Sequence, residues 1–100
     1  MENNINRQDT IGVAASVISI EKGNNNGRRG SIIIINASTG GQKITICIDG
    51  ESVAGFGIPL APGGSWMDSE DSGYKPTQKY ISAISDIAGG LLSIQERVIY

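Results

Sequence analysis

The chain has 100 residues, 39% of them hydrophobic and 18% charged, with a formal net charge of −2, no histidine and a single cysteine. That length fits one domain and leaves no room for a second. The charge gives bulk electrostatics no reason to select nucleic acid or a membrane; the missing histidine removes the commonest general base and metal ligand at neutral pH; a lone cysteine excludes an intramolecular disulfide.

Fourteen glycines against three prolines point to many tight turns between short segments. No apolar run approaches the roughly 18 residues needed to span a bilayer. The start Met1-Glu2-Asn3-Asn4 is acidic and polar rather than a secretory signal, so cytoplasmic synthesis is expected.

Residues 1–10 are polar, with Ile5 as the lone apolar anchor, and read as an extended N-terminal arm. The folded domain is then expected over 11–100. Ile11 to Ile20 reads as the first strand: Val13, Ala15 and Val17 share one face, then Ile18 and Ile20 take the other, which predicts a bulge near Ser16 to Ile18. Glu21 to Gly27 is a long Asn-Gly turn, followed by Arg28 and Arg29.

Ser31 to Asn36 is the strongest strand, because Ile32 to Ile35 are four consecutive β-branched residues whose stiff side chains suit a pleated surface. Apolar side chains on both faces predict that one face meets the core and the other meets a second sheet, a covering loop or another subunit. After Ala37 to Gly41, Ile44 to Ile48 alternates with period two, and the two segments read as a hairpin. Asp49-Gly50 turns the chain. Val53 to Leu60 is a weaker strand, placed at an edge or strand end by Pro59. Ala61 to Gly64 is a turn, Ser65 to Met67 a short strand and Asp68 to Gln78 a polar loop. Tyr80 to Ser85 and Leu91 to Tyr100 are the last strands, separated by the turn Asp86 to Gly90.

No segment reads as a helix. About seven or eight antiparallel strands separated by turn signals predict an all-β domain, a small β-sandwich or jelly-roll-like barrel.

Each candidate for chemistry has a stronger bland reading. Cys47 sits mid-strand without a histidine to activate it, and is a small hydrophobe on a sheet face. Asp68-Ser69-Glu70-Asp71 lacks the spacing and glycine of a calcium loop, and Asp49 with Glu51 lacks a pocket. Lys79 near a serine does not specify a dyad. These readings predict no catalytic residue, no cofactor and no metal. Arg28 and Arg29 would contact phosphate, but without interleaved aromatics they read as a strand entrance or an ion pair at an interface. Trp66 beside Met67 reads equally as an interface anchor, a carbohydrate platform or a plug for one end of the core. Arg28, Arg29, Trp66 and Ile5 are the candidate partner-binding residues.

The run from Arg28 to Glu96 has a further property. Arg28-Arg29 leads into a strand ending Ile35-Asn36-Ala37-Ser38; next comes a strand closing on a Gly-rich segment, followed by Gly57-Ile58-Pro59-Leu60-Ala61-Pro62-Gly63-Gly64-Ser65; Ile81-Ser82-Ala83-Ile84-Ser85, a glycine and Leu92-Ser93-Ile94-Gln95-Glu96 complete it. This order resembles the small β-sandwich virion proteins of tailed bacteriophages, in particular head decoration (cement) proteins and related attachment modules. It is a pattern of strands and turns rather than a catalytic signature, and no binding residue is carried over from it. The resemblance implies a structural virion protein made in the host cytoplasm and located on the capsid surface. Its partners would be the major capsid protein and further copies of itself in a dimer or trimer, without nucleic acid or membrane. The alternative is a tail or fibre module that binds a host receptor or glycan.

Overall fold

The computed structural model describes residues 2–19, 28–51, 53, 55–69 and 79–99. Eight strands are present: β1 (Glu2–Ile11), β2 (Ser16–Ser19), β3 (Arg28–Asn36), β4 (Ile44–Ile48), β5 (Ile58–Leu60), β6 (Ser65–Ser69), β7 (Ile81–Ser85) and β8 (Gly90–Ile99). They form two four-stranded sheets, in the order β1-β8-β3-β6 and β2-β7-β4-β5, and every pairing is antiparallel. The expected all-β sandwich is the observed fold, and this alternation of strands between two sheets is the double Greek-key order of a jelly roll.

Isoleucine builds the interior. Ile11, Ile32, Ile34 and Ile94 from the first sheet meet Ile18, Ile44, Ile46 and Ile81 from the second, with Ala83, Leu60 and Leu92 completing the buried cluster. Each contributes through the period-two alternation of its strand, and burying one such side chain stabilises by roughly 1.5–3 kcal/mol.

Three expectations are corrected. Residues 1–10 do not form an arm outside the sandwich: from Glu2 onward they lie in β1, in continuous register with β8 from Glu2↔Ile99 to Ile11↔Gly90. Residues 2–10 therefore belong to the sandwich rather than preceding it. The inward positions of β1 are Ile5, Arg7, Asp9 and Ile11, and Arg7 finds its partners, Glu96 and Ile18 O, inside.

The segment Ile11 to Ile20 is not one strand. Ile11 ends β1, Val13 is exposed and β2 starts at Ser16, although the expected bulge is there as a register shift between Val17 and Ser19.

Thirdly, β3 and β4 are not a hairpin. They lie in different sheets, and the chain crosses between them at Asn36. The buried Asn36 amide donates to Gln42 O and Leu60 O, both at 2.8 Å, and its Oδ1 accepts from Ser38 N at 3.0 Å. Its backbone bonds Gly63 and Gly64 in the turn that carries the chain from β5 back to β6. That turn is of type II: Pro62 presets the first central φ, and Gly63 holds the second at +83°. Of the sequential connections, only β4 to β5 joins neighbours in one sheet. The weak strand expected over Val53 to Leu60 is reduced to Ile58–Leu60 plus an isolated Val53↔Phe56 bridge; Pro59 lies on the sheet edge, as its missing N–H requires. Ile20, the turn Glu21 to Gly27, Gln78 and most of its polar loop, and Tyr100 lie outside the described residues.

Candidate interaction surface

Strands β1, β8 and β3 carry two different surfaces on alternate residues. Inward, a charged cluster occupies one end of the interior. Glu96, 2% exposed, receives Arg29 Nε at 2.8 Å and Ser19 Oγ at 2.7 Å on Oε2, and Arg7 Nη1 at 3.2 Å on Oε1. Arg29 is 0% exposed and also donates to Ser19 Oγ and to Lys79 O. Arg7 reaches across to Ile18 O on the other sheet, and its Nε lies 3.8 Å from Asp9. The arrangement brings two guanidiniums and two carboxylates together, so the buried charges offset one another, and their hydrogen bonds tie β1, β3 and β8 to β2. Such a cluster holds structure; the arginines are engaged with protein groups.

Arg29 is thus corrected as a partner-binding candidate: its side chain is an interior ion pair, and the β3 register shift between Arg29 and Ser31 sets it there. The backbone of Arg28 pairs with Ile99, and its side chain lies outside the described part of the chain. Trp66 is half-buried and packs against the apolar cluster, so it serves the core as a plug. Ile5 is half-buried on β1 opposite Glu96. The four candidates do not form one site.

Cys47 is half-buried on the outward side of β4, a free thiol in the middle of a sheet. Of the acidic group, Asp68 and Ser69 are buried in β6 rather than solvated in a loop, while Glu70 and Asp71 lie outside the described residues. No group of three or more metal-ligating side chains is found among the described residues.

The outward surface of the same strands is different in kind. Register places Asn6, Gln95, Ile33 and Met67 in one row across β1, β8, β3 and β6, and Gln8, Ser93, Ile35 and Ser65 in the next. These two rows are free of charge. Met67 is 60% and Ile35 39% exposed, and a groove of about 460 Å³ opens between β1 and β3, lined by side chains of these rows together with Arg7 and Ile94. No protein-family model matches the chain, and no curated protein matches it.

The corresponding face of the second sheet is covered over β4 and β7, while Val17 on β2, beside Ser82, stays exposed. Thr45 and Ser82 are buried although they point outward, because the segment after β4 folds back over them. Gly55 N donates to Thr45 Oγ1 at 3.1 Å, and Ser82 Oγ donates to Gly50 O at 2.6 Å. Gly57 makes that return possible: its φ is +134°, and a Cβ there would stand 2.5 Å from Ile46 O.

The cover leaves Phe56 projecting, 74% exposed. Sequence reasoning missed Phe56 and Met67 as surface groups. The two glycines flanking Phe56 were the available signal, since a turn so tight lifts its central side chain away from the sheet.

Proposed function

We propose that the protein is a structural virion protein that binds the exterior of an assembled phage capsid and reinforces it, acting by binding rather than by catalysis. The observation that carries this reading is the pair of uncharged rows on the outer face of the first sheet, which Arg97 borders on one side. A contiguous face of Ile33, Ile35 and Met67, bordered by amides and serines, supplies apolar area to bury and hydrogen-bonding groups for a rim, and none of these side chains is needed by the core. The occupant assigned to it is the major capsid protein. The strand order from Arg28 to Glu96 supports the same class, and the jelly-roll topology is compatible with it without deciding it.

The mechanism requires no bond to be made or broken. A protein that binds the assembled lattice and not its free subunits stabilises the lattice by mass action, and contacts to neighbouring capsomers add through effective concentration. The receptor- or glycan-binding alternative is the weaker reading, because its best platform, Trp66, is turned to the core.

The test is a particle lacking this protein. It should assemble, release its genome at a lower temperature than the complete particle, and recover on addition of purified protein with saturation at a fixed number of sites. Unchanged thermal stability together with lost adsorption to cells would replace this reading with the attachment one.

A further inference from the structure

The four sheet edges are unequal. β2 has four residues and a bulge, β5 has three and contains Pro59, and β6 has five. Short, broken or proline-bearing edges resist pairing with another chain. β1 differs: ten residues long, paired to β8 in unbroken register, and without proline, glycine or lysine. Among the described residues no strand pairs with its outer side.

We infer that β1 is a dimerisation edge, and that its occupant is β1 of a second copy, antiparallel about a two-fold axis through Gln8. The axis follows from charge. Keeping the two inner faces on the same side of the joined sheet requires odd residues to oppose odd and even to oppose even. Centring on Arg7 sets arginine against arginine, centring on Asp9 sets aspartate against aspartate, and centring on Asn6 sets Arg7 against Ile5. Centring on Gln8 sets Arg7 against Asp9 twice, Ile5 against Ile11 twice and Asn6 against Thr10 twice, with the two Gln8 amides side by side. Opposite charges and like apolar groups face one another across strands, which is the favourable arrangement.

Arg7 and Asp9 are partly open, with side-chain exposures of 26% and 33%, and their own contact is long at 3.8 Å, so each has capacity for a closer partner. The product is a continuous eight-stranded sheet with an isologous interface made mainly of backbone hydrogen bonds. The inference deepens the assembly reading above, since it names the self-contact of a protein that works in copies. It is tested on the free protein, so its failure leaves capsid attachment standing.

The experiment is sedimentation of the full chain with substitutions at the exposed Gln8. Wild type should sediment as a dimer. Gln8→Lys and Gln8→Glu should each raise the dimer dissociation constant about fivefold or more, because like charges then meet on the axis, and mixing the two variants should restore dimers. As a second variant, Gln8→Cys in a Cys47→Ser background should cross-link to a covalent dimer when its thiols are oxidised with copper phenanthroline. A folded wild-type monomer at all accessible concentrations overturns the inference, as does a dimer that Gln8→Lys leaves unchanged or a Gln8→Cys protein that does not cross-link.

Discussion

The inward and outward sides of β1, β8 and β3 are separated by a single step along each strand, yet they are built on opposite principles. Inward, Arg7 and Arg29 are joined through Glu96, with Ser19 and two backbone carbonyls as further partners; Arg29 and Glu96 are fully buried, while Arg7 stays partly open at the sheet edge. Outward, Asn6, Gln8, Gln95, Ile33 and Ile35 are uncharged and open to solvent or half-open. Charge inside demands full pairing, because an uncompensated buried ion costs several kcal/mol; an amide or isoleucine outside carries no such obligation and is available to a partner. The pleat thus divides one set of strands into a side that determines stability and a side that is free to determine binding.

Substitutions on the two sides should therefore separate stability from attachment. The largest effect is expected at Glu96. Glu96→Ala leaves two interior guanidiniums without their shared carboxylate and should cost about 3–5 kcal/mol, read by urea unfolding. Replacing Arg7, Arg29 and Glu96 together by apolar residues of similar volume should cost far less, which would identify the penalty as that of orphaned charge rather than of lost packing.

At the other end of the interior, Asn36 holds the crossing from β3 to β4 with a neutral amide. Asn36→Ala removes both donated bonds and the accepted one, and should cost about 2–3 kcal/mol in the same measurement. A cost above that of Glu96→Ala would reverse the assignment of the charged cluster as the stronger fastening.

The same contrast explains what could be read from the residues alone. Ile32, Ile34, Ile44 and Ile46 follow period two and are buried, so the sandwich and most strand positions were legible. Pairing partners were not. Clean alternation in Ile44 to Ile48 says that a strand has two faces, not which strand lies beside it, and the device that sends it to the other sheet is a single Asn36 side chain reaching residues 6 and 24 positions away.

β1 was hidden for a related reason. Its inward residues include Arg7 and Asp9, which look like a solvated arm unless Glu96, 89 positions distant, is known to be waiting opposite. Arg29 was misread as an interface residue because an arginine in a sequence carries no sign of its burial. The uncharged face emerged only when register set Asn6 beside Gln95, Ile33 and Met67, four residues from four strands.

The central claim is that the outer face of the first sheet, and not the interior it shares strands with, attaches the protein to a particle. Ile35→Ser with Met67→Ser changes two exposed side chains and should cost no more than about 1 kcal/mol of stability. The direct measurement is binding of this double variant, confirmed as folded, to capsids that lack the protein. The account predicts that saturable binding falls to a small fraction of the wild-type level while thermal unfolding of the free variant stays close to wild type. Full binding at wild-type affinity would contradict it and place the docking surface elsewhere.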